Sequence, residues 1–142
     1  RSLDRARAVC VELREALGPA GDRLHPRAMA DSRVIAEHAA RVDVVLSCGA
    51  AGVSLTSLAE LTSQRPPQLV MDLNAVPPLG IEGVEGADRG VSRQGVICYG
   101  AFGVGGRKMK LHKRAIQALF TRNDLVLDAD ELLELGQRMD EI

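Results

Sequence analysis

Three short apolar runs constrain this chain more than any other feature. They are Val42-Asp43-Val44-Val45-Leu46-Ser47, Gln68-Leu69-Val70-Met71-Asp72-Leu73 and Gly95-Val96-Ile97-Cys98-Tyr99-Gly100. Each is rich in Val, Ile and Leu and nearly continuous, which is how strands buried on both faces read, and such strands belong to parallel sheets. Between the first two lie a glycine-containing turn and a short helical stretch, so the order strand, turn, helix, strand makes a βαβ unit. The expected fold class is α/β, a mainly parallel sheet with flanking helices and further helices at the C-terminal end.

The helices follow from spacing and caps. Ser2 caps a helix whose apolar positions Leu3, Ala6, Val9, Cys10, Leu13, Ala16 and Leu17 recur at three and four, and Gly18-Pro19 ends it. Arg23 to Pro26 admits a short strand. Asp31 caps a second helix through about Ala40, and a helical piece runs near Leu55 to Leu61. A long helix is expected from about Arg107 to Thr121, and Asp128 with Glu131 forms a capping box for a last one through Met139. From Asn74 to about Gly95, with Pro77-Pro78, Gly80, Gly83, Gly86 and Gly90, the reading is one long loop. Loops beyond normal connector length serve or cover a site.

Composition removes several function classes. In 142 residues, 18 Lys+Arg stand against 19 Asp+Glu, and the aromatics are Tyr99, Phe102 and Phe120 alone. A net charge of −1 without a basic block gives no footprint for nucleic acid or an anionic membrane, so neither partner is expected. The longest uncharged stretch, Val44 to Ala59, is broken by Ser, Thr and Gly and is too short to span a bilayer. Cys10, Cys48 and Cys98 are odd in number and widely spaced, which suggests neither a disulfide framework nor a metal site and fits a cytoplasmic protein. With no initiator Met and a helix opening at once, the chain reads as a piece of a longer protein.

Ligands of open parallel sheets bind outside the carboxyl ends of the strands, so the three strand exits nominate one rim. At the first, Cys48-Gly49-Ala50-Ala51-Gly52 projects almost nothing; it either lets backbone approach a ligand or makes a tight turn. At the second, Asp72-Leu73-Asn74-Ala75 offers Asn74 either as a partner for a carboxamide or carbonyl or as a turn former. At the third, Gly103, Gly105 and Gly106 precede Arg107-Lys108-Met109-Lys110-Leu111-His112-Lys113-Arg114, read as a helix start carrying six basic side chains. Cations there oppose the helix dipole and ask for an anion. Lys108 and His112 lie four apart on one face, which makes Lys108 the basic residue best placed over the rim. Lys110, Lys113 and Arg114 read as a solvated face, and His112 as a structural histidine more readily than a catalytic one. Arg1, just before Ser2, stands where an arginine past the second strand of a dinucleotide fold accommodates the 2′-phosphate of NADP. The sequence holds no nucleophile elbow, HExxH pair or GxGxxG.

The run Asp72-Leu73-Asn74-Ala75-Val76-Pro77-Pro78-Leu79-Gly80-Ile81, taken with Gly100-Ala101-Phe102-Gly103-Val104-Gly105-Gly106-Arg107-Lys108-Met109-Lys110-Leu111-His112, resembles a known family. It is similar to the NADP-dependent methylene-tetrahydromethanopterin and methylene-tetrahydrofolate dehydrogenases of one-carbon metabolism. The likeness runs from Arg1-Ser2-Leu3-Asp4-Arg5-Ala6 to the closing helix. It implies a two-domain enzyme with the pterin in a cleft between an N-terminal α/β domain and a Rossmann domain holding NADP. Residues 1–106 would be that Rossmann-like domain without its first strands, and 107–142 helices packing toward the missing pterin-binding domain. By position, Arg1 would face the cofactor's 2′-phosphate, Ser2 would also bind the cofactor, and Gly49, Ala50, Ala51 and Gly52 would line it. Asn74 and Ala75 would lie near the nicotinamide; Lys108 and His112 would reach the pterin, with Lys108 the catalytic, orienting group. The resemblance further implies formaldehyde oxidation in the cytoplasm, no metal, a homo-oligomer at full length, and an inactive fragment. Alternatives are another Rossmann dehydrogenase with a folate or shikimate-like substrate, and a non-catalytic NADP-binding module.

Overall fold

The computed structural model describes residues 2–29 and 31–139. Ser2 caps α1 (Leu3–Leu17) by accepting from the amides of Asp4 and Arg5, and Gly18 ends it at φ 55°. A 3-10 turn (Gly18–Arg23) folds back on α1, where Arg14 donates to the carbonyls of Gly21 and Leu24. Arg23 to Pro26 forms no strand: Leu24 is extended, but no neighbouring strand pairs with it among the described residues. Asp31 caps α2 (Ser32–Ala39) through the Val34 amide.

The remaining elements are β1 (Val44–Ser47), β2 (Thr56–Ser57), α3 (Leu58–Leu61), β3 (Leu69–Asp72), β4 (Ile81–Glu82), β5 (Arg89–Arg93), β6 (Val96–Gly100), α4 (Ala101–Leu119) and α5 (Ala129–Arg138). The main sheet has the order β1-β3-β6-β5; β1, β3 and β6 are parallel, and β5 runs antiparallel to β6. β2 and β4 form a separate parallel pair. The architecture is therefore α/β with a mainly parallel sheet, flanking helices and C-terminal helices.

One side of the sheet carries the core. Val70, Val96 and Cys98 point into it and meet Leu58 and Leu61 of α3, Ala39 of α2, Ile81 and Val84, with Ile35 and Val45 packed against them. Burying each of the large aliphatic side chains contributes roughly 1.5–3 kcal/mol. Burial also pushes the Cys98 thiol up from its ordinary value. A capping box between Ser57 and Glu60 fixes the start of α3. Ser32 of α2 donates to the same carboxylate at 2.7 Å, tying the two helices together. These hydrogen bonds hold the Glu60 carboxyl below its usual range, the Ser32 bond foremost.

Three expectations need correction. The stretch from Asn74 to Gly95 is not one loop, since it contains β4 and all of β5. β5 is an edge strand with the sequence Arg-Gly-Val-Ser-Arg, too polar to reveal itself by apolar pattern, and it turns into β6 through Gln94 and Gly95, both at positive φ. β1 is not buried on both faces: it is the opposite edge of the sheet, with Val44 52% and Leu46 59% exposed. The long helix begins at Ala101, directly after β6, and not at Arg107. Its first turn packs so closely on the preceding loop that a Cβ on Gly100 would overlap the Glu85 carbonyl oxygen, and one on Gly103 the Asp88 carbonyl oxygen. Glycine there permits helix-to-loop approach; it does not break the helix. Residue 106 lies inside α4. No helix among the described residues is long and apolar enough to cross a membrane.

Candidate functional site

The parallel register places Ser47, Asp72 and Gly100 side by side, so β1, β3 and β6 end on one rim. A buried polar knot holds the middle of it. Asp72, 1% exposed, accepts from the amides of Asn74 (3.1 Å) and Ile81 (2.9 Å), one carboxylate oxygen to each end of the 74–81 loop. Asn74, itself 6% exposed, donates from Nδ2 to Ser47 Oγ at 3.4 Å and so ties β3 to β1. Gly80 packs beneath these groups: a Cβ there would run into Asn74 Nδ2 and Ser47 Oγ and sit 2.8 Å from Asp72 Oδ1. The Gly80 carbonyl in turn accepts from the Leu55 and Thr56 amides. One carboxylate thus organises two of the three exits. The composition of Asp72-Leu73-Asn74-Ala75 pointed to the place, but only the fold shows that Asp72 faces inward.

Around this knot the surface is bare. Cys48, Ala50, Ala51 and Ala75 are exposed, Gly49 and Gly52 half-buried, and Gly52 adopts φ 71°, which favours glycine. Gly49 also lies against Leu55: a Cβ there would sit 2.9 Å from Leu55 Cδ1. The tight-turn role left open by the sequence is the one the geometry shows. The turn bends tightly, and the side chains exposed along it are the small ones of Cys48, Ala50 and Ala51. Gly49 borders an apolar cavity of about 400 Å³ under β1, lined also by Met29, Val44, Leu55 and Ile81. Ser2 lies at the start of α1 with its hydroxyl accepting from two amides, and Arg1 is outside the described residues.

The third exit departs from the sequence reading. The amides of Phe102 and Gly103 at the true start of α4 donate to the Gly86 carbonyl, so that helix terminus is capped by the protein itself. Asp88 anchors this corner. Its carboxylate accepts from Arg93 at 2.7 and 2.8 Å and from the Glu85 amide, while its carbonyl accepts from the Gly100 amide. The Arg93 guanidinium, first among the causes, holds the Asp88 carboxyl below the usual carboxylate range.

Lys108 stands two turns into α4, roughly 10 Å along its axis from Ala101. The macrodipole argument for an anion at this position therefore fails, because the effect fades within the first turn. Lys108 instead lines a larger cavity, about 620 Å³, between α4 and α5, together with Arg89, Lys110 and Leu132. His112 is exposed and does not line it. The candidate residues thus form two groups: Gly49, Ala50, Ala51, Gly52, Asn74 and Ala75 on the exits of β1 and β3, and Lys108 in a groove beyond β6. Arg89 of that groove sits on the edge strand the sequence concealed. Among the described residues no cluster of three or more His, Cys, Asp or Glu could hold a metal ion.

The chain is similar to the bifunctional protein MdtA of Methylorubrum extorquens. Identity with MdtA is 37% over 110 residues, which cover 78% of this chain and 38% of MdtA, so the chain spans well under half the length of that relative. No protein-family model matches the chain.

Proposed function

We propose that this chain is the NADP-holding part of an oxidoreductase that moves a hydride from methylene-tetrahydromethanopterin, or methylene-tetrahydrofolate, to NADP. The observation that carries the reading is the single rim made by Ser47, Asp72 and Gly100, with the bare turn 48–52 beside it. Rims of this kind in parallel sheets receive nucleotides. The motif resemblance and the similarity to MdtA point the same way.

The residues present fit such a cofactor. Gly49, Ala50, Ala51 and Gly52 supply a wall without protruding side chains, and exposed Ala75 continues it at the second exit. Asn74 has its amide nitrogen committed to Ser47, so in this reading it fixes the floor beneath the nicotinamide. Arg1 remains the proposed contact for the 2′-phosphate, with Ser2 a further contact to the cofactor. NADP, when bound, supplies the hydride acceptor.

Little acid–base machinery is needed. The donating methylene carbon lies between two nitrogens whose lone pairs stabilise the cation left behind, so the protein's task is to align two rings. An ammonium at the reacting carbon would oppose that charge. Lys108 is therefore assigned to orient the pterin through a carbonyl or carboxylate oxygen, away from the transferring hydride.

The test is hydride transfer followed by NADPH absorbance, in a protein carrying this sequence together with a pterin-binding domain. Losing a charge-assisted hydrogen bond at Lys108→Ala lowers kcat/KM roughly 10- to 100-fold, whereas Lys113→Ala changes it less than about 2-fold. Equal small effects refute the assignment of Lys108. NADP binding tighter than NAD binding is the accompanying expectation; binding without reduction by any methylene pterin would leave a nucleotide-binding module instead.

A further inference from the structure

Two carboxylates are buried among the described residues, those of Asp72 and Asp88, and the fold treats them differently. Asp88 meets the Arg93 guanidinium through two hydrogen bonds, so its charge is cancelled where it stands. Asp72 has no Lys, Arg or His partner among the described residues; its oxygens accept from the amides of Asn74 and Ile81. Amide dipoles hold an anion in place without cancelling it, and a charge withdrawn from water reaches further because the surrounding dielectric is low. The Asp72 carboxylate is therefore a fixed source of negative potential.

Nothing at the strand exits offsets it. Asp72 closes β3 level with Ser47 on β1 and Gly100 on β6. The exits themselves, residues 48–55, 73–80 and 100–106, contain no Lys, Arg or His, and no further Asp or Glu. Of the first amides of α4, those of Phe102 and Gly103 already donate to the Gly86 carbonyl. A nucleotide laid over this rim is oriented by the one charge it meets: phosphates are repelled from the second exit, and a cationic ring is drawn to it. Oxidised NADP has one such ring, the pyridinium of its nicotinamide. In NADPH the added hydride has cancelled that charge.

We propose that Asp72 makes this rim selective for the oxidised cofactor, its negative charge favouring the cationic nicotinamide over the neutral dihydronicotinamide. The inference rests on the function proposed above, which puts the nicotinamide beside Asn74 and Ala75, and adds a residue that distinguishes the cofactor entering the reaction from the one leaving it. Asp72 acts through space from inside the fold and is not a catalytic residue. Its effect is to hold NADP and to let NADPH go.

The test compares Kd for NADP and for NADPH by calorimetry, in the protein used to follow hydride transfer, with circular dichroism as the check on folding. The unchanged protein is expected to bind NADP at least about 5-fold more tightly than NADPH, and Asp72→Asn to bring the two within about 2-fold of each other. Any disturbance of the 74–81 loop in that variant weakens both forms alike, so the ratio reads the charge alone. Ser47→Ala loosens the same knot and keeps the charge; both affinities fall together and the ratio stays. Equal losses for both nucleotides in Asp72→Asn would show that the carboxylate is only a clasp, and would overturn the proposal. Should that variant not fold, the unchanged protein decides: NADPH binding as tightly as NADP overturns the proposal, and a preference of the stated size that survives Ser47→Ala supports it. Either adverse result, with hydride transfer intact, leaves the function above standing. Failure to bind any nucleotide sinks that function and this inference with it.

Discussion

Glycine carries two opposite meanings within a few residues of this chain. Gly103 lies against the Asp88 carbonyl, so Gly103→Ala forces backbone apart and is expected to cost about 1–3 kcal/mol. Gly105, in the same helix, has open space at its Cβ, so Gly105→Ala removes a flexible residue and adds about 0.5–1 kcal/mol. Thermal unfolding followed by circular dichroism checks both: Tm falls in the first variant and rises by about 2–4 °C in the second. Loss in both would mean that the packing of α4 has been misread. The run Gly103-Val104-Gly105-Gly106 looks uniform in sequence, and only its neighbours distinguish the three glycines. Asp72 teaches the same lesson: its place at a strand exit is legible from the order of residues, but its inward aim, with both carboxylate oxygens on loop amides, follows from where Ile81 returns.

At the scale of elements, the corner formed by β5, β6 and the start of α4 depends on the charge of Asp88. The Asp88 carboxyl titrates below its ordinary 3.8 in the folded protein because the Arg93 guanidinium, and after it the Glu85 amide, bind the ionised form. A depressed pKa contributes stability that is fully present above 3.8 and is lost as pH falls through the folded value. Asp88→Asn is therefore expected to lower unfolding free energy by about 2 kcal/mol at neutral pH and by less near pH 3, below the ordinary value of 3.8. Urea unfolding at the two pH values measures it, and a pH-independent deficit would show that Asp88 acts through shape and not charge. Helices with caps were readable at this scale: Ser2, Asp31 and Asp128 each cap where spacing and side-chain chemistry place them. The edge strand β5 was not, because its exposed positions carry Arg and Ser and its pairing with β6 supplies the missing signal.

At the scale of the whole molecule, the outer edge of β1 is the exposed liability. Val44 and Leu46 are more than half exposed, and Val42 is exposed beside them. An unpaired apolar edge invites strand pairing between copies. Leu46→Lys is expected to reduce self-association in light scattering while leaving Tm within about 1–2 °C, since the side chain already faces outward. Scattering that stays the same would mean that another face drives association. α1 has the same character on a helix, with Val9, Val11, Leu13 and Leu17 exposed and the 3-10 turn as its packing partner.

Sequence by itself determined the class of fold, the three parallel strands and most helix caps. These depend on local pattern: β-branched apolar runs prefer the pleated sheet, and Ser or Asp side chains satisfy the first amides of a helix wherever they stand. It also marked the rim, because strands of one direction in one sheet must end together. Tertiary structure alone decided which residues face that rim. Burial of Asp72 and Asn74, the true start of α4 at Ala101 and the meeting of Arg89 with Lys108 and Lys110 all depend on contacts between segments far apart in the chain. Periodicity along a segment says which side of it is apolar, but not which neighbour will lie against it.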